Sequence, residues 1–253
     1  MSMIPALLKL YRSAGYEPVT GYNSYHFANY MDAPFTRFIK DARLFGIGAG
    51  LALQEVMFLE NFREFIDPRG ILVIGNSFGW STLALGLIFP KAKVVSIDPN
   101  QEGNALTNEL AKSGKLNVIA AEGWSPRDLE KVVSNNLGGP VDFVLIDGLH
   151  EHDAVLADFD GCMKVIGDSA VLAFHDVLNW DLIDAFRRML QVSGMSGKIL
   201  TRTASGMALA WRTIPPELEE YILAFCDDIN IYRAYRRHCL GDSQRIERGL
   251  ARL

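Results

Sequence analysis

Apolar positions change their rhythm near residue 70. Beyond it, short runs of consecutive apolar residues recur, each ending in a polar loop: "ILVIG" (71–75), "KVVSID" (93–98), "NVIAA" (117–121), "VDFVLID" (141–147) and "AVLAFHD" (170–176). Runs that are β-branched and apolar on successive positions predict strands covered on both faces. Helical patterns lie between them; in "HDAVLADFDGCMKVI", Val155, Phe159, Cys162 and Ile166 share one helical face. Five strand–helix units in this alternation predict a doubly wound α/β sheet. Two later runs, "KILTR" (198–202) and "GMALAWR" (206–212), are linked only by "TASG". No crossover helix fits there, so the two predict an antiparallel hairpin closing the sheet.

The same pattern divides the chain. Residues 1–69 read as a mostly helical N-terminal extension with an aromatic-rich loop, "GYNSYHFANYM" (21–31), whose bland role is packing and whose sharper role is a lid. Residues 70–212 form the α/β domain, and 213–253 a helical tail with an arginine-rich end. The longest apolar run, "LFGIGAGLALQEVMFL" (44–59), carries Gln54 and Glu55 and is too short to span a bilayer. The first residues lack a signal-peptide pattern. A net charge of −5 without a basic face argues against nucleic acid. Cys162, Cys226 and Cys239 are odd in number and lack metal-type spacing, which fits a reduced, cytoplasmic setting. The two extensions are long for decoration, so a homodimer or higher oligomer through one of them is the expectation.

Candidate chemistry gathers at the ends of the predicted strands. "ILVIGNSFGWST" is a strand, a loop with Gly75 and Gly79, and a helix start. Glycine there lets a ligand approach the backbone, and the loop and helix start offer Asn76, Ser77, Ser81, Thr82 and free N–H groups. A dinucleotide fingerprint would need glycine where Ser77 stands, which weighs against a nicotinamide-dependent dehydrogenase. Asp98 ends the second strand, where a carboxylate accepts bonds from both hydroxyls of a ribose; "DPN" is equally good turn chemistry. Together these features favour an adenosine-type ligand. Asp147 closes the fourth strand, and His175 with Asp176 closes the fifth. An imidazole and two carboxylates form a plausible divalent-metal set, and His150 on the same loop is a candidate base. The bland alternative is two capping aspartates beside exposed His150 and His152.

Over roughly residues 50–212 these motifs resemble the class I S-adenosylmethionine-dependent methyltransferases. The closest resemblance is to the metal-dependent O-methyltransferase branch that includes macrolide-sugar O-methyltransferases and cephalosporin-hydroxylase-like proteins. "IGNSFGWST" is similar to its glycine loop, "VVSIDPN" to its ribose-binding acid, "LIDGLHEHDAVLADFD" to its Ile-Asp-Gly-x-His segment and "AVLAFHDV" to its His-Asp strand end. The resemblance implies a Rossmann-like, mostly parallel seven-stranded sheet and S-adenosyl-L-methionine as cofactor. It also implies a small polyhydroxylated acceptor, of which a sugar is one, methylated on a hydroxyl. Asp147, His175 and Asp176 then match metal ligands for Mg2+ or a softer ion, and His150 matches the general base. Asp98 matches the ribose partner, and Gly123 and Trp124 match adenine contacts. Three positions depart from the pattern: Val73 replaces an acid that helps hold the methionine end, Leu149 replaces a frequent acid, and His175 replaces a carboxylate or amide. Val73 and Leu149 keep a non-catalytic cofactor-binding protein of the same fold as the alternative.

Overall fold

The computed structural model describes residues 2–22 and 33–228, with 230–232, 234–235 and 237–238 beyond them. The N-terminal segment departs from the mostly helical expectation. Helix α1 (Ile4–Ser13) leads into strands β1 (Glu17–Val19), β2 (Thr36–Lys40) and β3 (Arg43–Gly50), an antiparallel sheet in the order β1-β2-β3. Helix α2 (Leu53–Glu60) and a 3-10 turn (Asn61–Glu64) follow. The β2–β3 link explains the difference. Asp41 and Ala42 both hold positive φ, 49° and 59°, and Lys40 faces Arg43 across a two-residue turn whose twist suits a hairpin. The apolar run from residue 44 continues past β3 into α2, and it and the strand-poor glycines at 46, 48 and 50 disguised β3. Gly50 is needed where it stands, because a Cβ there would lie 2.8 Å from the Trp80 side chain. The aromatic loop falls, from residue 23, outside the described residues.

The main sheet meets the expectation. Strands β4 (Gly70–Ile74), β5 (Lys93–Asp98), β6 (Val118–Glu122), β7 (Val141–Ile146) and β8 (Ile166–Phe174) pair in parallel, and β9 (Ser196–Ile199) and β10 (Ala208–Trp211) close the edge. The order is β6-β5-β4-β7-β8-β10-β9, with β10 antiparallel to both β8 and β9. Between strands run α3 (Trp80–Ile88), α4 (Gln101–Gly114), α5 (Leu129–Asn136), α6 (His152–Cys162) and α7 (Ile183–Ser193). The chain reverses its winding between β4 and β7, and the crevice beyond their carboxyl ends is where such sheets bind ligands.

Alternation along β4 builds two cores. Ile71 and Val73 join a cluster with Leu7, Tyr11, Phe62, Trp80 and Leu83, whereas Leu72 and Ile74 join Val144, Phe159, Phe174 and Phe186 on the other face. The N-terminal segment therefore shares one core with the sheet. The tail begins with α8 (Pro216–Leu223), which buries Leu218 and Ile222 and stacks Tyr221 on Phe58 at 5.2 Å. Its arginine-rich end and Cys239 lie outside the described residues. No helix among the described residues is long and apolar enough to cross a membrane.

Candidate functional site

The loop after β4 is held by its own sequence. Gly75 (φ 89°) lies against β7: a Cβ there would sit 2.0 Å from the carbonyl oxygen of Asp147. Gly75→Ala is expected to cost about 2–4 kcal/mol, combining left-handed strain with overpacking, read from a denaturant midpoint. The Asn76 side chain is a buried hub. It donates to Asn104 (3.1 Å) and Thr107 (2.9 Å) and accepts from Thr82 (2.8 Å) and Ser96 (3.0 Å). Tyr11 of α1 donates to the Phe78 carbonyl at 2.8 Å, tying the N-terminal segment to the loop.

Asp98 is more occupied than the sequence suggests. One oxygen accepts the N–H groups of Asn76 (2.7 Å) and Ser77 (2.9 Å), and the other accepts that of Asn100 (2.7 Å). Three of about four lone-pair sites are taken, so the turn and the loop both use a carboxylate expected to take two ribose hydroxyls. Asp98→Ala should thus lower cofactor affinity and stability together, each by roughly 1–3 kcal/mol, measured by calorimetry and chemical unfolding.

A cavity of about 490 Å³ opens beyond this loop. Gly75, Asn76, Ser77, Ser81, Asp98, Gly123, Trp124, Asp147 and His150 all lie on its wall. Gly79 and Thr82 are not among its lining residues: Gly79 caps α3 at φ 84°, and the Thr82 hydroxyl is spent on Asn76. Val73 faces the apolar core, so no acid could reach the cavity from its side chain without being buried there. Leu149 and Trp124 stand exposed on the wall. Sequence reading missed Phe38, Trp80, Ser125 and Asp158, which also line it. Asp158 on α6 is buried, and burial raises its carboxyl above the usual carboxylate value. Trp80 Nε1, Ser125 Oγ and His175 Nδ1 are buried polar atoms without a hydrogen-bond partner. The first two belong to cavity-lining residues, and the third sits behind Asp147.

Asp147, His150, His175 and Asp176 do converge. Asp147 Oδ1 lies 3.3 Å from His150 Nε2 and 2.9 Å from His175 Nδ1. Asp176 Oδ2 lies 3.6 Å and 3.5 Å from the same two nitrogens. The expected grouping shifts, however. Donor atoms of Asp147, His150 and His175 all fall within 4.8 Å of one another, and Asp176 stands outside that set. Asp176 holds φ 58° and accepts from Asn179 at 3.0 Å, which turns it toward its own loop. A cation with bonds of about 2.0–2.2 Å has neighbouring ligands about 3.0 Å apart in an octahedron and about 3.4 Å in a tetrahedron. The 2.9 Å edge between Asp147 and His175 matches the octahedral spacing, and His175 Nδ1 is the nitrogen such an ion would use. The residues therefore fit a divalent cation held by Asp147 and His175, and the imidazole favours one softer than magnesium.

Charge is balanced without an ion as well. His175 is buried, which alone would lower its pKa, but Asp147 and Glu55 raise it well above the usual histidine value. Burial likewise pushes Asp147 upward, and His175 and His150 more than reverse this. His150 stacks on exposed Trp180 at 5.6 Å. His152 is at the surface beside Asp153, as a helix start requires.

Comparison with known proteins agrees with this architecture. Residues 72–177 match a family described as "Methyltransferase domain". No curated protein matches the chain by sequence. An O-methyltransferase from Bacillus cereus in complex with SAH is 18% identical, with a TM-score of 0.53 over 64% of this chain and 82% of that one. The SAH-bound Podospora anserina methyltransferase PaMTH1 is 17% identical, with a TM-score of 0.52 over 63% and 78%. TomG, an O-methyltransferase from Streptomyces achromogenes involved in tomaymycin synthesis and solved with SAM, is 16% identical, with a TM-score of 0.52 over 83% and 89%. Residues 72–177 are therefore similar to a methyltransferase domain, and the sheet has the class I methyltransferase fold of those solved structures.

Proposed function

We propose that this chain transfers a methyl group from S-adenosylmethionine to a hydroxyl of a small polyhydroxylated molecule, a sugar being one such acceptor, with a divalent cation assisting. The observation that carries the reading is the cavity reaching from Asp98 to His150, whose wall includes the glycine loop and unpartnered polar atoms. SAH- and SAM-bound proteins of the same fold support it.

When bound, the cofactor supplies an electrophilic methyl on a sulfonium. The chain's own residues do the rest. Asp98, through the lone pair its backbone partners leave open, holds the ribose end. Ser125 and Asp158 meet the adenine edge, where a hydroxyl can donate to the ring and a carboxylate accept its amine. The Trp80 indole N–H and Ser81 serve the methionine end that Val73 leaves without an acid. Asp147 and His175 would hold the cation, whose charge lowers the acceptor hydroxyl's hold on its proton. His150, at the cavity wall, takes that proton as the acceptor oxygen bonds to the methyl carbon and the carbon–sulfur bond breaks. Positioning the two reactants supplies up to about 7–11 kcal/mol of the barrier.

Thermal unfolding with S-adenosylmethionine, SAH and NAD tests the cofactor. The first two should stabilise the fold, by about 2.7 kcal/mol at a hundredfold excess over Kd, and NAD should not. Stabilisation by NAD alone would overturn the reading in favour of a dehydrogenase. Binding of SAH without turnover on any hydroxylated acceptor would leave a non-catalytic cofactor binder.

A further inference from the structure

We infer that Glu55, from the N-terminal segment, is the positioning residue that fixes how His175 faces the reacting edge. Glu55 is fully buried on α2, 120 residues from the histidine it meets. Its Oε2 lies 3.0 Å from His175 Nε2 and also accepts the Ala52 N–H at 2.9 Å. Its Oε1 accepts the Ser205 N–H at 2.8 Å and, through a short bond, the Ser205 hydroxyl. One carboxylate thus serves four donors from α2, the end of β8 and the β9–β10 link.

The consequence for His175 is specific. With Nε2 committed to Glu55, Nδ1 alone is left to face Asp147 at 2.9 Å and Asp176 at 3.5 Å. The Phe35 ring stands edge-on to the imidazole at 5.7 Å, so the ring is held from the side too. Metal-binding histidines commonly give their second N–H to a carboxylate, which sets ring orientation and raises basicity. His175 shows that arrangement. A purely structural carboxylate would need only Ala52 and Ser205; the bond to Nε2 serves the site.

Glu55→Gln separates these roles. Glutamine at this position can still accept the Ala52 N–H through its amide oxygen. It offers one acceptor oxygen to four donors, however, and turns an amide N–H toward at least one of them. Two readouts on the full chain apply, with Ser205→Ala as the comparison that removes only the structural leg. In ¹⁵N-histidine NMR, wild type and Ser205→Ala should show a protonated, hydrogen-bonded Nε2 at His175, and Glu55→Gln should lose that signature. In calorimetric titration with Mn2+, Glu55→Gln should weaken binding about 10–100-fold, and Ser205→Ala by less than about threefold. Only the titration rests on the cation reading proposed above. If the wild type binds no Mn2+, that reading fails while the NMR comparison still judges Glu55. Unchanged His175 nitrogens in Glu55→Gln overturn the inference, as does an equal loss in both variants. Should Glu55→Gln not fold, Glu55→Asp keeps the charge but withdraws it from Nε2, and an unaltered His175 spectrum there is equally fatal.

Discussion

Asp147→Ala is expected to reduce methyl transfer by at least about 10²–10³-fold, the usual loss when a preorganised charge at a reacting centre is removed. Its carboxylate touches both His150 and His175, so no neighbouring group replaces it. The backbone at 147 should stay in place, because its N–H is bonded to Ile74 and its carbonyl packs on Gly75. SAH affinity should therefore change little, whereas Mn2+ binding should disappear. His175 keeps Glu55 as a counter-charge, which limits the cost of leaving a buried cation short of one partner. The rival outcome is a helix-cap-sized stability loss of about 0.5–2 kcal/mol with turnover intact, which would reduce Asp147 to a turn residue. Single-turnover rates, calorimetry and a melting curve on one preparation decide between them.

His150→Ala carries the second large effect. If the imidazole removes the acceptor's proton, turnover should fall about 10²–10⁴-fold while SAH and Mn2+ bind within about threefold of wild type. The geometry makes the metal arm informative, since His150 Nε2 belongs to the same tight donor set as Asp147 and His175. A tenfold or greater loss of Mn2+ would reassign His150 from base to ligand. Turnover that is unaffected by both the substitution and a chelator would remove the catalytic role of this edge altogether.

The parallel sheet was legible because strands covered on both faces must be apolar at every position. "ILVIG" and "VDFVLID" announce themselves that way. Asp98, Asp147 and Asp176 were legible as polar residues at the ends of such runs. What each carboxylate spends its lone pairs on was not, since two of the three partners of Asp98 come from a loop more than twenty residues away. The three-stranded sheet of residues 17–50 escaped because glycines interrupt β3 and the apolar run carries on from it into α2. Glu55 escaped for a different reason. In sequence it is a lone acid within that run, and its meaning depends on His175 and Ser205, 120 and 150 residues onward. No local period encodes such a pairing.

The place of Glu55 bears on how this protein can be recombined. The N-terminal segment lies outside the matched domain and reads as an exchangeable module, a natural place to graft a relative's segment when a new acceptor is wanted. Yet the segment carries the carboxylate that orients a histidine of the domain, and Tyr11 within it braces the glycine loop. A chimaera joined near residue 69 therefore inherits His175 without its partner unless the donor segment also places an acid in that spot. Grafts that keep residues 53–60 with the domain should retain function where clean swaps at the apparent boundary do not.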